Sequence, residues 1–502
     1  MEVRKTNKIT VALIIILLTT PAIASGERNY TIVKNSNGRT LYVGGSGPNN
    51  YSKIQDAIND ASPGDTIFVY DDSSPYYENL IIDKSIKLIG ENRNTTIICG
   101  GEHIVIDIQG NNVSIENLTI ANNSHTWPAY GIVMEGNGIK ILGNIIKNCT
   151  TAIEAWFLNE SFICKNEIAG KTLIGIYLYF SNNNEISENK ICVSDEAISI
   201  SGNAFGNVIE GNFIMGDVWL GVEEWGFPPV FVMNTFVLNN KIFMGGLKIW
   251  KARNNIISNN TVNGKPLVYL ERRRGCVIDY AGQVILVNCR NIVVKNLDIS
   301  DTCVAIQLRN CKRCKIIANC IHNCTEGIAL YDSKNNVVTN CILKNSSIYL
   351  WKSRCNTIKE NKVKEGVIIL GYLSIGNKII KNVIDSGYGL VGVLTILNTI
   401  ERNNFSSNDI GIGLTASPFN FILKNTFVGN GYGIYLAMKS GGNIIYSNNF
   451  LRNKIHATFG GCYINFWFRN YWDDWHRLIP RPIKGEGWTN YDWLPRIYPY
   501  EW

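Results

Sequence analysis

The sequence predicts an all-β chain wound as a parallel β-helix, a solenoid of roughly 22 residues per coil. Three observations carry that prediction. Asn336, Asn356, Asn377, Asn398, Asn420 and Asn443 recur at steps of 20, 21, 21, 22 and 23 residues, each opening a short apolar run. A further Asn follows four or five residues later, at Asn340, Asn361, Asn382, Asn403, Asn425 and Asn448, so the repeating word is N-x-I/V-x-x-N. Between successive words lies a second apolar run, often opened by Gly, as in Gly175-Ile176-Tyr177-Leu178 and Gly433-Ile434-Tyr435-Leu436. Both runs alternate apolar with variable residues, the period of a strand with one buried face, and a unit this short has no room for a helix. Stacked units pair equivalent strands at about 4.8 Å and build parallel sheets along an elongated prism.

The elements follow in chain order. Arg4, Lys5 and Lys8 precede the apolar run Ile9 to Leu18, then Pro21 and Ala22-Ile23-Ala24, so residues 1–24 read as a secretory signal. Residues 25–96 form an N-terminal cap with the first coils. Within them Ser52-Lys53-Ile54-Gln55 spells a capping box, and Ile54, Ala57, Ile58 and Ala61 fall on one face of an amphipathic helix over 52–61. Such a helix covers the apolar end of a solenoid, which needs a polar cap. The β-helix proper runs over 97–470, with less regular copies of the word at Asn112, Asn184, Asn207, Asn234, Asn255 and Asn291. Asn suits these places because it tolerates left-handed backbone at bends and its amide reaches the equivalent amide one coil away. Residues 471–502 lose the repeat and, with Trp467, form a Trp- and Pro-rich plug on the last coil that includes Trp472, Trp475, Trp488, Trp493 and Trp502.

Composition narrows the function. Charged residues are sparse at 18% and the net charge is +7, or +5 without residues 1–24, which carry three basic and one acidic side chain. That balance is too mild for a nucleic-acid partner and leaves acidic glycans open. No later segment approaches the length of a membrane span, so the mature chain carries none. Twelve N-x-S/T sequons, Asn29 and Asn94 among them, follow from a chain whose bends are rich in Asn, Ser and Thr.

Two places break the ruler, a step of 27 from Asn207 to Asn234 and one of 36 from Asn255 to Asn291. The first holds Trp219, Glu223, Glu224, Trp225 and Gly226-Phe227-Pro228-Pro229; the second holds Gly264-Lys265-Pro266 and Glu271-Arg272-Arg273-Arg274. Long loops on a rigid scaffold are where function concentrates.

Leu41-Tyr42-Val43-Gly44-Gly45, Ile54-Gln55-Asp56-Ala57-Ile58, Pro63-Gly64-Asp65-Thr66-Ile67 and Lys84-Ser85-Ile86-Lys87-Leu88-Ile89-Gly90 together resemble the opening of NosD-like β-helix proteins. Asn263-Gly264-Lys265-Pro266-Leu267-Val268-Tyr269 with Ala281-Gly282-Gln283-Val284-Ile285 and Asn288-Cys289 is the most specific stretch, and Asn470-Tyr471-Trp472-Asp473-Asp474-Trp475 resembles the family's terminal segment. The resemblance covers the chain. It implies a single-stranded right-handed parallel β-helix of the pectin-lyase-like, carbohydrate-binding or sugar-hydrolase type, exported to the periplasm or cell surface. It also implies, as an alternative, a role as an accessory in copper-enzyme maturation.

The residues weigh three chemistries. Copper wants clustered Cys, Met or imidazole, yet His103, His125, His322, His456 and His476 are scattered and the six methionines form no cluster. Cys311-x2-Cys314-x5-Cys320-x3-Cys324 has the spacing of a zinc site. The ruler accounts for it otherwise, because Cys289 and Cys311, Cys303 and Cys324, and Cys320 and Cys341 lie 22, 21 and 21 residues apart and read as stacked thiols on neighbouring coils. No cofactor and no metal is therefore expected. Polysaccharide cleavage needs two carboxylates across the bond. The adjacent pairs Asp71-Asp72, Glu223-Glu224 and Asp473-Asp474 point to opposite faces if extended, so no catalytic residue is assigned.

Binding of a polysaccharide or cell-surface glycan rests on outward positions. If the Ile and Leu of G-I-x-L face in, then Tyr177, Tyr179, Trp250, Tyr269, Arg309, Tyr331, Tyr349 and Trp351 face out, with Arg273 in the basic run nearby. Flat rings stack on sugar faces and arginines grip uronate or sulfate, although aromatics also favour strands for packing alone.

Overall fold

The computed structural model describes residues 38–101, 103–122, 127–221 and 231–501. The expected secretory signal and the Glu223–Pro229 part of the first insertion lie outside them. The chain is 55% strand and 2% helix and winds through about 20 turns of a right-handed parallel β-helix.

One coil shows why the word folds this way. Glu185–Ser187 forms a first strand, Glu188 turns the chain with φ of 55°, Asn189 follows, and Lys190–Ser201 supplies two further short faces separated by a bend. Ile186, Ile191, Ile198 and Ile200 point inward and are fully buried. The next coil repeats the arrangement in register, Glu185 opposite Val208, Ile186 opposite Ile209 and Ser187 opposite Glu210.

The asparagines divide into two kinds. Those in the ladder are buried and lack left-handed geometry: the backbone N–H and Nδ2 of Asn382 both donate to Oδ1 of Asn403, at 2.9 and 2.9 Å, while Nδ2 also reaches the carbonyl of Ile358 at 2.9 Å. The left-handed bend is the residue before, here Lys381 with φ of 55°. Amide-to-amide bonding between coils is as the spacing predicts; the left-handed assignment belongs one position earlier. The distinction shifts one reading, because Asn340 is the bend (φ 55°) and Cys341 takes the ladder place, donating its N–H to Asn361 Oδ1 at 2.9 Å. Asn112, Asn234 and Asn291 are likewise bends.

The ends are closed by different means. The helix spans Ile54–Asp60, and no side chain of a capping box caps it. Instead the Glu78 carboxylate accepts from the amides of Ile54 and Gln55 at 2.8 and 3.0 Å. At the other end, stacked rings of Phe405, Phe427, Phe450 and Trp472 run up the core with centroids 5.2, 4.9 and 4.1 Å apart. A hairpin of Arg481–Lys484 and Thr489–Asp492 covers them. Asp492 ends the ladder as a pure acceptor, taking N–H bonds from Asn470 N, Asn470 Nδ2 and Trp472 Nε1 at 3.1, 3.0 and 2.9 Å. Trp467 and Trp472 are buried in this plug, whereas Trp488 and Trp493 lie at its surface.

The solenoid is not continuous at the step of 36. Thr261–Val262 turns through Asn263-Gly264 and pairs antiparallel with Lys265–Pro266; Leu267–Glu271 then starts a new parallel sheet with Gln283–Val287. The buried side chains accordingly form two main clusters, one running from Leu41 to Leu267 with Ile285 and Val287, the other from Ile278 to Ile483. We call these the first and second blocks.

Candidate functional site at the junction of the blocks

The last face strand of the first block, Leu247–Ile249, has no further coil to pair with, so its backbone needs other partners. Two glutamines supply them. Gln283 Oε1 accepts from Leu247 N at 2.9 Å and its Nε2 donates to Leu247 O at 2.9 Å; Gln307 treats Ile249 the same way at 3.2 and 2.8 Å. Each side-chain amide mimics a strand peptide. The outward face of the second block's first coils is therefore covered by the first block.

That cover changes the fate of the outward strip. Trp250 is 9% exposed and Tyr331 1%, packed edge to face at 4.6 Å, with Arg309 over Trp250 at 5.2 Å. Tyr331 bonds Glu326, which pairs with Lys248 at 2.9 Å, and Lys248 lies over Trp219 at 4.7 Å. Trp250 and Tyr331 thus seal the seam and are closed to a ligand. Tyr349 and Trp351 continue the column half-buried, their rings stacked at 6.0 Å. Tyr269 sits apart, half-buried, its hydroxyl donating to Glu271 at 2.8 Å. Tyr177 and Tyr179 belong to a separate patch on the first block with Trp156 and Phe157, which are 39% and 56% exposed; Tyr179 meets Trp156 at 4.8 Å. Arg273 is exposed and alone among these residues.

Beside the seam opens a cleft of about 400 Å³ lined by Phe231, Lys251, Arg253, Arg272, Arg309 and Asp332, among others. Arg253 lies over the Phe231 ring at 4.1 Å, Arg309 approaches Asp332 at 4.0 Å, and Arg272 reaches Asn254 Oδ1 at 3.3 Å. Of the outward residues read from the sequence, Arg309 alone lines it, and the basic run contributes Arg272, not Arg273. Lys251 and Arg253 were not singled out by spacing. The signal was present in the Trp250-Lys251-Ala252-Arg253 stretch just before the long step, where Ala252–Arg253 turns a corner in a small sheet with Val232–Met233 and Ala204–Phe205. Four cations facing one carboxylate make the cleft suited to a polyanion.

Carboxylates cluster in two other places. Glu196 and Asp217 are opposite each other on adjacent coils of the first block, and burial pushes both carboxyls above the ordinary range. Asp217 also accepts the Gly246 N–H at 3.0 Å. Asp473 and Asp474, expected to diverge, lie in a turn and not in a strand, so both approach His456 Nε2, at 2.8 and 3.6 Å. Asp71 and Asp72 do turn duty, accepting from Thr95 Oγ1 and Gly45 N.

The fourteen cysteines are all free thiols. Cys289 and Cys311 stack on adjacent coils, as Asn288 N–H to Arg309 O at 2.9 Å and the Val287–Arg309 pairing fix. The other two spacings do not: Val304 is opposite Glu326, which leaves Cys303 one residue out of register with Cys324, and Cys320 is opposite Ile342, because these coils hold 22 residues and a 21-residue step falls one short.

The sequence model of one family, described as "Periplasmic copper-binding protein (NosD)", matches residues 58–244, 233–431 and 377–476. The chain belongs to the NosD family. A "Cell surface glycoprotein" of Methanothermus fervidus is 26% identical over 222 residues, 42% of this chain and 33% of that protein, so the match spans a third of that relative's length. Among solved structures, a polygalacturonase from Erwinia carotovora ssp. carotovora is 12% identical with a TM-score of 0.33, over 69% of this chain and 93% of that one. The A-module of a mannuronan C-5 epimerase from Azotobacter vinelandii is 12% identical with a TM-score of 0.32, over 82% and 93%.

Two donor groups of this NosD-family chain bear on the copper in the family's description. His456, Asp473 and Asp474 are the one group of three among the described residues with ligand atoms drawn together. Its imidazole does not suit a metal. Asn453 Oδ1 is taken by Asn430 N and Nδ2 at 3.0 and 2.8 Å, so Asn453 Nδ2 must face His456 Nδ1, at 3.2 Å. The ladder leaves Nδ1 as the acceptor and puts the proton on Nε2, the atom a metal would need. The thiols of Cys289, Cys311 and Cys314 are soft donors of the kind that suit Cu(I), but their sulfurs are not drawn together into such a group.

Proposed function

We propose that this NosD-family protein is exported and binds an acidic polysaccharide or surface glycan in the junction cleft. The observation that carries the reading is the convergence of Lys251, Arg253, Arg272 and Arg309 on one cleft beside the Phe231 ring. Guanidinium groups pair with uronate or sulfate in bidentate fashion, and a ring face takes the apolar face of a sugar. The basic and then apolar run expected to act as a secretory signal in residues 1–24, and the similarity to a cell surface glycoprotein, support a place in the periplasm, at the cell surface or outside it. Among the described residues no helix is long and apolar enough to cross a membrane. Tyr177 and Tyr179, with exposed Trp156, form a second stacking patch for the same polymer, and Tyr349 and Trp351 extend the seam.

The test is retention of the purified chain on acidic and neutral polysaccharides, with new chain ends scored in parallel. Retention on polyuronate that falls with salt, and is lost in Arg253→Glu with Arg272→Glu, is the expected result. Equal retention of that double variant would sink the cleft as the site.

One observation favours a second reading, cleavage of the same class of polymer. Burial holds the Glu196 and Asp217 carboxyls above the ordinary range on neighbouring coils, and a carboxyl so held is suited to general-acid work. New chain ends that vanish in Asp217→Asn would move the proposal to hydrolysis; none forming would leave it as binding.

A further inference from the structure

One column of the second block is basic on successive coils. Arg274, Arg290, Lys312, Lys334 and Arg354 lie opposite one another in parallel bridges, and the column then passes to Ile375 and Ile396. The backbone holds this register: Lys312 N–H donates to Cys289 O at 3.0 Å, Lys334 N–H to Cys311 O at 2.9 Å and Arg354 N–H to Ser333 O at 3.0 Å. Cys289, Cys311, Ser333 and Ser353, each one residue before a cation, are buried, so the cations stand on the outer side of the corner. Arg274, Arg290, Lys334 and Arg354 are exposed, and Lys312 is half-buried.

Like charges directly opposite on neighbouring strands destabilise a sheet. Here the repulsion recurs from coil to coil, and among the described residues none of the five side chains pairs with a carboxylate. Asp332, two residues before Lys334, faces Arg309 at 4.0 Å instead. The column is a row of fixed positive charge that the fold itself leaves uncompensated.

We propose that this ladder holds a linear acidic polysaccharide extended along the solenoid axis, one carboxylate per coil, as the continuation of the chain anchored in the junction cleft; the placement rests on the glycan reading of that cleft. The two surfaces share an edge, because Arg272, Asn288, Asn310 and Asp332 line the cleft and each stands two residues before a ladder cation. Coils repeat at about 4.8 Å, so the ladder spreads its charges over about 19 Å. One hexose ring is about as long as one such step, and a polyuronate carries one carboxylate on each ring, which keeps polymer and ladder in register. A rigid row of one sign also draws a polyanion in from solution. A nucleic-acid strand fits less well. Its bases need ring faces to stack on, and neither the ladder nor the bend column beside it, Gly275, Asn291, Arg313, Asn335 and Cys355, offers an aromatic side chain.

The test measures by calorimetry, over a range of salt, the affinity of the full chain for trigalacturonate, too short to leave the cleft, for dodecagalacturonate, which spans cleft and ladder, and for oligothymidylate of the same number of units. The ladder variant combines Arg290→Gln, Lys312→Gln and Lys334→Gln. Its affinity for the dodecamer is expected to fall about 10-fold, with a flatter salt dependence, while trimer binding is unchanged. Its thermal midpoint does not fall, because the substitutions relieve like-charge repulsion. The proposal is overturned if the ladder variant binds the dodecamer as the unaltered chain does, or if oligothymidylate binds the unaltered chain more tightly than the dodecamer and loses that binding in the variant. Unchanged trimer binding in Arg253→Glu with Arg272→Glu would instead overturn the cleft, and leave the ladder standing on the dodecamer result.

Discussion

Asn382 and Asn340 look alike in the sequence and do different physical work. Asn382 is a buried acceptor for two N–H groups of Asn361, at 3.0 and 2.9 Å; Asn340 only turns the backbone through φ of 55°. Asn382→Ala leaves two buried donors unmet and is expected to cost about 3 kcal/mol or more. Asn340→Ala asks Ala to hold a left-handed bend and costs about 1 kcal/mol. Urea unfolding of the two variants checks the contrast; equal losses would mean that the ladder adds nothing beyond the bends. His456 extends the same logic to pH. Burial outweighs the nearby Asp473 and Asp474 and lowers its pKa from 6.5. The unfolded chain therefore gains the proton first. The stabilisation from neutral His456 is present above the unfolded value and is lost as pH falls through it toward the lower folded value. Thermal midpoints should fall between about pH 6.5 and more acid conditions, less steeply in His456→Gln, and an imidazole that protonates at the ordinary value would contradict this.

At the scale of the element, glutamine closes strands that lack a neighbour. Gln55 does so from the capping helix, its amide bonding both N and O of Ile81 at 2.9 and 3.2 Å, as Gln283 and Gln307 do for Leu247 and Ile249. Gln283→Leu leaves the Leu247 peptide and the Val304 carbonyl unpartnered, a cost of about 3 kcal/mol. Hydrogen exchange would show it as faster exchange at Leu247, and unchanged protection there would refute the role. Capping also marks where sequence reading stopped. Ser52 and Gln55 spell a capping box, but Gln55 is spent on the strand edge and Glu78, from 24 residues on, takes the helix amides. A local motif cannot reveal a partner brought in by the next coil.

Across the whole molecule, the period determined the solenoid because equivalent residues of neighbouring coils must pair, and any chain with this spacing stacks the same way. Spacing says which side of a strand points outward, however, and not what lies against it. Trp250 and Tyr331 do point out of their coils, yet the end of one block covers the start of the next and buries them. The step of 36 flagged the place without revealing that two cores meet there. The cleft that results draws Arg253 from the first block, and Arg272 from a bend and Arg309 from a strand of the second, so no single repeat carries its pattern.

Binding at the junction is measured most directly by a hydrogen-exchange footprint of the full chain with and without an acidic oligouronate. Binding in the junction cleft predicts protection at residues 251–253, 272, 309 and 332. Protection only around Trp156 and Tyr179, or none at the junction at saturating oligouronate, would contradict it.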